Sequence, residues 1–155
     1  EDSLQPYDMK YLDGKLLIQD KNNVLADKYE TVTKVKPSKE QLKDMEFGMK
    51  IVKNMKSNAI VIVKDGQTLA SGCGQTSRIW ALKNALENNK DKDFKGAVLA
   101  SDAFFPFDDC VTLANEYGIS AVVQPGGSIK DQDSIDACDK YEMTMVFTGT
   151  RHFKH

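Results

Sequence analysis

Residues 101–109, Ser-Asp-Ala-Phe-Phe-Pro-Phe-Asp-Asp, place aromatic rings beside carboxylates. The apolar run 96–100 predicts a strand that leads into them, and a helix is predicted to begin at Asp109. In open α/β sheets, ligands bind beyond the carboxyl ends of strands. Exposed rings could stack there on a planar ligand, and Asp102 or Asp109 could accept its N–H groups. On these residues alone, it is equally open that the Phe side chains belong to the core.

Two other predicted turns between a strand and a helix carry glycines and polar groups. In residues 72–78, Gly-Cys-Gly-Gln-Thr-Ser-Arg, the glycines permit close backbone approach and Arg78 adds a cation. With the N–H groups of a helix N-terminus, this pattern favours a bound phosphate or carboxylate; the alternative is a tight turn with a surface Arg. In residues 124–128, Gln-Pro-Gly-Gly-Ser, Ser128 is predicted to cap the next helix. Because all three turns follow strand ends, we expect them to share one rim and one pocket.

Two more polar sites lie outside these turns. Asn58 precedes a predicted hairpin, where its amide could equally satisfy backbone groups or contact a ligand. The tail, residues 151–155, reads Arg-His-Phe-Lys-His. Its terminal His could serve acid–base chemistry near neutral pH, although basic tails of this kind are more often only solvated.

The apolar pattern predicts the elements that position these turns. Ser38 and Gln41 form a predicted capping box for a helix that ends near Lys56, and Asp65-Gly66 predicts a hairpin turn. The other predicted elements are an extended segment 12–20, strands 31–36, 59–63, 67–71, 97–100, 119–123 and 143–147, and helices 77–88, 109–117 and 131–141. Right-handed crossovers then require a largely parallel sheet with an antiparallel margin. The predicted fold class is α/β, a three-layer α/β/α sandwich with a mixed sheet, cytidine deaminase-like in its element order.

Composition narrows the function classes. The 155 residues fit one domain, and the net charge of −2 gives no electrostatic footprint for nucleic acid or an anionic membrane. No apolar run is long enough to span a bilayer, and we expect a cytoplasmic protein. A zinc deaminase would need His-x-Glu and Pro-Cys-x-x-Cys where this chain has residues 75–78 and 106–109. Metal-dependent deamination is therefore excluded, and no metal is expected.

Six stretches of the chain, taken together, resemble one family. They are residues 57–60, 64–67, 72–78, 96–107, 124–128 and 147–155, which follow the family's order from about Val35 to the last residue. The chain is similar to the C-terminal half of the AICAR transformylase (phosphoribosylaminoimidazolecarboxamide formyltransferase) domain, which occurs in bifunctional purine biosynthesis proteins together with IMP cyclohydrolase. The resemblance implies two deaminase-like halves. Residues 1–36 would be an extended segment leading from the first half, residues 37–155 would form the second half, and the chain would end at the family's natural C-terminus.

The resemblance also implies an activity, the transfer of a formyl group from the co-substrate 10-formyltetrahydrofolate to the amine of AICAR. By position, Asn58 resembles the asparagine that orients the AICAR carboxamide and the formyl group, and His155 resembles a terminal His with a supporting catalytic role. The implied nucleotide contacts are Arg78, Phe105, Arg151 and Phe153, and the implied folate contacts are Pro106, Phe107, Asp109 and Ser128. In the family the site lies at a dimer interface. The expected partners are therefore the first half of the domain and a second copy.

Two departures from the family pattern bear on activity. Residues 107–109 are Phe-Asp-Asp where many members have Phe-Arg-Asp, which weakens the expected hold on the folate glutamate tail. The family's proton-shuttling Lys-His pair belongs to the first half and does not occur here; without a general base, formyl transfer should slow by about a hundredfold or more. Two alternatives stay open. One is a non-catalytic module that binds purine nucleotide or folate, and the other is an interaction protein whose apolar rim, with Trp80, docks a partner subunit.

Overall fold

The computed structural model describes residues 7–154. The elements, in chain order, are β1 (Tyr7–Leu12), β2 (Lys15–Asp20), β3 (Glu30–Thr31), α1 (Lys39–Val52), β4 (Ile60–Lys64), β5 (Gln67–Gly72), α2 (Arg78–Glu87), β6 (Val98–Ser101), α3 (Asp109–Glu116), β7 (Ala121–Gln124), α4 (Asp131–Lys140) and β8 (Thr144–Phe147). The predicted helices are confirmed, with ends that shift by a few residues. No helix within the described range has the length and apolar composition needed to cross a lipid bilayer.

A six-stranded mixed sheet forms the centre of the fold, in the order β3-β8-β7-β6-β4-β5. Strands β6, β7 and β8 run parallel, whereas β4 pairs antiparallel with both β5 and β6, and β3 pairs antiparallel with β8. The carboxyl ends of β5, β6, β7 and β8 therefore meet the amino end of β4 at one edge. This is the edge at which the sequence predicts a pocket.

Helices cover both faces of this sheet. On one face, α1 packs Met45, Met49 and Val52 onto the strands. On the other face, α2, α3 and α4 enclose a second cluster, which includes Leu82 and Val111. Strands β4, β6, β7 and β8 alternate their apolar side chains between these two clusters, as strands buried on both faces must. The predicted fold class, a three-layer α/β/α sandwich with a mixed sheet, is confirmed.

The start of α1 follows the predicted capping box. The Ser38 hydroxyl oxygen accepts from the Gln41 backbone N–H at 3.1 Å, and the Gln41 side-chain oxygen accepts from the Ser38 N–H at 2.8 Å. The helix ends at Val52 rather than near Lys56, because the backbone N–H groups of residues 54 and 55 bond three residues back instead of four. Leu42, three residues before the buried Met45 on α1, is 38% exposed.

The N-terminal part differs most from the prediction. β1 and β2 form an antiparallel hairpin, in which only β2 had been predicted as part of the extended segment 12–20. The edge strand predicted over 31–36 is reduced to β3. Since β3 joins the main sheet, residues on the two sides of the predicted boundary at 36 and 37 pack against each other. Residues 1–6 and 155 lie outside the described residues.

A carboxylate on α1 fixes the hairpin between β4 and β5. Asp44, only 8% exposed, accepts from the backbone N–H groups of Asp65 at 2.9 Å and Gly66 at 2.7 Å. Both turn residues have positive φ, 53° and 72°, which the predicted Asp-Gly turn requires. We expect Asp44→Ala to lower the free energy of unfolding by about 2 kcal/mol, because it leaves two backbone donors without their charged acceptor.

Urea unfolding measures this cost, with Lys43→Ala on the adjacent exposed position as the control. The control should stay within about 0.5 kcal/mol of the parent chain. An equal effect of both substitutions would mean that the carboxylate does not hold the turn.

Candidate functional site

A pocket of about 280 Å³ lies at the predicted edge of the sheet. Its walls come from the start of β4, the turn before α2, the segment after β6 and the C-terminal tail. The lining residues are Asn58, Thr76, Ser77, Arg78, Ala103, Phe104, Pro106, Arg151 and Phe153. The structure thus brings together four of the separate segments that carried predicted site residues. The turn 124–128 does not line this pocket.

Hydrogen bonds hold Asn58 beside the turn that precedes α2. Its side-chain amide donates to the Gln75 carbonyl oxygen at 2.9 Å, and its backbone N–H donates to the same oxygen at 3.2 Å. The Gln75 N–H returns a bond to the Asn58 carbonyl oxygen at 3.4 Å. The amide therefore satisfies a backbone group, as one of the two alternatives predicted, and it also lines the pocket, where contact with a ligand stays a prediction.

Two backbone N–H groups of the turn 72–78 already donate hydrogen bonds to carbonyl oxygens elsewhere in the protein. The Gly74 N–H donates to the Lys56 carbonyl oxygen at 2.8 Å, and the Gln75 N–H is taken by Asn58. Gly72 serves packing, because a Cβ atom there would lie 2.0 Å from the Ala81 carbonyl oxygen of α2. These two turn amides are thus not available to the phosphate or carboxylate that the glycine pattern favoured.

Arg78 and Asp102 form a buried ion pair directly behind the pocket. Their side chains are 4% and 0% exposed, and an Arg78 Nη atom contacts an Asp102 carboxylate oxygen and also donates to the Ala59 carbonyl oxygen at 3.1 Å. The second Asp102 oxygen accepts from the Ser57 hydroxyl. The prediction that Asp102 accepts N–H groups from a ligand is wrong, because both of its oxygens are engaged inside the protein. The Arg78 guanidinium lines the pocket, and the Asp102 carboxylate balances its charge.

The same network anchors the C-terminal tail. The Lys154 N–H donates to the Ser57 hydroxyl oxygen at 2.8 Å, and the Ser57 N–H donates to the Lys154 carbonyl oxygen at 3.2 Å. The His152 N–H donates to the Asp102 carbonyl oxygen at 2.8 Å. Residues 151 and 153, which alternate with these bonded positions, line the pocket.

His152 is a buried structural residue, 1% exposed. Its Nε2 lies 2.8 Å from the Leu25 carbonyl oxygen, which can only accept, so Nε2 carries the proton and Nδ1 accepts from the Asn22 amide at 2.8 Å. Burial lowers the pKa of the imidazole below its usual 6.5, the nearby Lys53 lowers it further, and the Leu25 carbonyl and Asp102 oppose this shift. The ring is therefore neutral and ties the loop before β3 to the tail.

Two aromatic rings and one guanidinium form one side of the pocket. The Arg151 guanidinium lies 4.5 Å from the ring centre of Phe153 and 5.9 Å from that of Phe104. Phe105, predicted as a nucleotide contact, is fully buried in the core, where its backbone N–H donates to the Gln124 side-chain oxygen at 2.9 Å. Its neighbour Phe104 faces the pocket instead. The predicted aromatic wall is present, with the two adjacent Phe residues divided between wall and core.

The predicted folate contacts are only partly brought together. Pro106 lines the pocket, and Phe107 lies next to it, 51% exposed, with the Lys130 ammonium 4.8 Å from its ring centre. Asp109 lies on a separate shallow surface between α2 and α3. The Ser128 hydroxyl accepts from the Lys130 N–H at 3.1 Å and does not cap α4, because the helix begins at Asp131 and its N-cap position is Lys130, two residues beyond Ser128.

Sequence reasoning missed the bracing residues. Ser57 was noted only as part of a matching stretch, and Asp102 was assigned to a ligand. The signal that could have found Asp102 is its position directly after the apolar strand 97–100, together with an opposite charge, Arg78, at another strand–helix turn of the same rim. His155, predicted to support catalysis, lies outside the described residues.

The buried ion pair generates a stability prediction. Asp102→Asn keeps the shape of the side chain but leaves the Arg78 charge buried without its partner, so we expect a loss of about 3–5 kcal/mol in the free energy of unfolding. Urea denaturation measures it. Glu46→Gln, which removes the charge from the exposed Glu46–Lys50 pair, is the matched control and should cost about 0.5 kcal/mol or less. Equal costs would show that the pair does not brace the fold.

His152 generates a prediction of pH dependence. The unfolded His takes up a proton as the pH falls below about 6.5, whereas the folded His does so only at a lower pH. The stability that the neutral ring contributes is therefore present above about pH 7 and lost on acidification through the lowered folded-state pKa. Between pH 8 and pH 5 we expect the parent chain to lose stability more steeply than His152→Gln, measured by urea unfolding at each pH. Parallel profiles for the two chains would contradict this.

The chain is similar in sequence to known proteins. A family model described as AICARFT/IMPCHase bienzyme matches residues 1–88. The bifunctional purine biosynthesis protein PurH of Clostridioides difficile (strain 630) is 85% identical over 155 residues, which are 100% of this chain and 30% of that protein. The protein of the same name from Clostridium perfringens (strain SM101 / Type A) is 56% identical over 147 residues, 95% of this chain and 28% of that protein. The chain thus spans less than a third of the length of these relatives.

Among solved structures, a dCMP deaminase from the cyanophage S-TIM5 in complex with dCMP and dUMP has a TM-score of 0.48 and 20% identity, covering 70% of this chain and 98% of that chain. A diaminohydroxyphosphoribosylaminopyrimidine deaminase/reductase from Thermotoga maritima has a TM-score of 0.44 and 24% identity, covering 68% and 34%. The fold class itself rests on the sheet order and the layers described above. Because the family model covers more than half of the chain and a curated PurH protein is 85% identical along all of it, the chain belongs to the AICARFT/IMPCHase bienzyme family.

Proposed function

We propose that this chain supplies the C-terminal half of an AICAR transformylase domain and contributes to formyl transfer from 10-formyltetrahydrofolate to AICAR in purine biosynthesis. The observation that carries the proposal is the pocket in which Asn58, Arg151 and Phe153 converge with the segment 103–106. These residues come from distant parts of the chain, and the family resemblance independently implies ligand contacts for several of them. The relatives, which are named as purine biosynthesis proteins, support the same role.

The lining chemistry suits a nucleotide with a planar, polar base. AICAR offers a flat aminoimidazole carboxamide and a phosphate. The rings of Phe104 and Phe153 can pack against the flat base, and the exposed Arg151 guanidinium attracts the phosphate. The Asn58 amide has both a donor and an acceptor to match a carboxamide. Arg78 has a different part, since its compensated charge shapes the wall through the ion pair with Asp102.

The reaction needs a proton acceptor that these lining residues do not include. The AICAR amine attacks the formyl carbon, a C–N bond forms, the bond from that carbon to folate N10 breaks, the amine gives up a proton and N10 receives one. Asn58 would orient the amine and the formyl oxygen. The described lining residues include no group that titrates near neutral pH, so we assign the base to the remainder of the domain, with His155 in the supporting role that the resemblance implies.

The size of the pocket also favours a shared site. A volume of about 280 Å³ is at the lower end for one drug-sized ligand, and the reaction needs a nucleotide and a folate together. Pro106 and the exposed ring of Phe107 offer an apolar shelf for the pterin, whereas Asp109 and Ser128 lie apart from it. We therefore expect the rest of the folate site to come from the first half of the domain or from a second copy.

The test uses a chimera in which this chain replaces its 85%-identical counterpart in the C. difficile protein. Release of tetrahydrofolate is followed by absorbance with AICAR and 10-formyltetrahydrofolate. We expect Asn58→Ala to lower kcat by roughly a hundredfold, because a positioned amide of the reaction centre is lost. Asn54→Ala, an exposed Asn four residues earlier, is the matched control and should stay within about twofold of the chimera.

Three results would decide the proposal. A chimera that transfers the formyl group and loses this activity only through Asn58→Ala supports it. A chimera that binds AICAR in calorimetry but never releases tetrahydrofolate favours the non-catalytic binding module. An active chimera that is indifferent to Asn58→Ala places the reaction centre elsewhere.

A further inference from the structure

The hairpin of β1 and β2 carries an apolar face that the described residues leave uncovered. Direct pairing of Met9 with Ile18 and of Tyr11 with Leu16 puts these side chains on one face, and Tyr7 extends the same row. They are between 46% and 75% exposed. A two-stranded hairpin on its own is at best marginally stable in water, so a face of this kind normally packs against something.

The opposite face of the hairpin contacts the body of the protein through one side chain and is otherwise exposed, with Leu12 60% and Leu17 37% exposed. Gln19 is its half-buried member and donates to the Phe153 carbonyl oxygen at 2.5 Å. Asp8 and Gln19 both line a cleft of about 210 Å³ beside the tail. The apolar face, defined as Tyr7, Met9, Tyr11, Leu16 and Ile18, lies on the side of the hairpin away from this contact.

We infer that this apolar face docks onto the part of a PurH-length polypeptide that this chain does not include; the inference rests on the proposed function. Length supports this occupant, because the relatives contain more than twice as many further residues as they share with this chain. The area of the face supports it too. Two six-residue strands cover a patch of roughly 200 Å² at strand spacing.

A stable dimer needs about 800 Å² on each partner, so this face alone is too small to hold a second copy. It is sufficient within one polypeptide, where the linkage supplies a high effective concentration and the larger assembly supplies the remaining area. The partner surface must itself be largely apolar, since three of the five side chains on this face carry no polar group and the two Tyr side chains carry theirs only at the ring tips.

Cysteine labelling of the folded protein tests the inference. In a Cys73→Ser background, which removes the exposed thiol, Tyr11→Cys, Ile18→Cys and Lys10→Cys are made in this chain and in the chimera. Maleimide uptake at each position is read by peptide mass spectrometry. We expect the Tyr11 and Ile18 positions to react at least about tenfold more slowly in the chimera than in the chain alone, while Lys10, on the opposite face, changes by less than about threefold.

Each other outcome overturns the inference. Equal labelling of Tyr11→Cys and Ile18→Cys in the two proteins would show an uncovered face. Slow labelling in the chain alone that depends on protein concentration, together with a dimer in sedimentation that Tyr11→Glu dissolves, would assign the face to a second copy. Formyl transfer by the same chimera is measured separately, so an active chimera with a freely reactive hairpin refutes this inference and leaves the proposed function standing.

Discussion

The structure around the pocket depends on one buried ion pair. Asp102 accepts from Arg78 and from Ser57 through its carboxylate, and its carbonyl oxygen accepts from the His152 N–H. These contacts join the end of β6, the start of α2, the segment before β4 and the tail. This burial is tolerated because both Asp102 oxygens and one Arg78 Nη atom have partners inside the network, whereas the buried Arg78 Nε has none among the described residues. The desolvation free energy spent on burying the ion pair is offset by contacts that hold four separate segments in one arrangement.

That arrangement explains which residues reach the pocket. In the tail, the bonded positions, His152 and Lys154, face inwards to Asp102 and Ser57. Arg151 and Phe153 are left on the pocket side, where the Arg151 guanidinium lies 4.5 Å from the ring centre of Phe153 and 5.9 Å from that of Phe104. The result is a pocket with a cation, flat apolar walls and one oriented amide, but without a titrating group among the described lining residues. In the proposed split of the transformylase domain, this pocket would form the ligand-binding half of the site.

Much of this could be predicted from the sequence, for physical reasons that differ from residue to residue. Local signals worked: Ser38 with Gln41 predicted a helix start, and Asp65-Gly66 predicted a turn, because each acts through its own backbone. Asp13-Gly14 carried the same turn signal. β1 was nevertheless missed, because all of its residues are exposed and no buried face marks its alternating apolar residues as a strand. Phe104 and Phe105 are adjacent in the loop after β6, where no periodicity distinguishes a pocket-lining residue from a core residue. The roles of Asp102 and His152 depend on partners more than 20 residues away, which no local pattern shows.

The central claim is that this pocket binds the nucleotide. Titration of the ¹⁵N- and ¹³C-labelled chain with AICAR, followed by NMR, tests it most directly. The account predicts saturable shifts at the Asn58 side-chain amide, the Arg151 guanidinium and the Phe104 and Phe153 rings, with the amides of Asp109 and Ser128 unmoved. Shifts confined to the lysine-containing cleft beside the N-terminal hairpin, or no saturable shift up to millimolar AICAR, would contradict it.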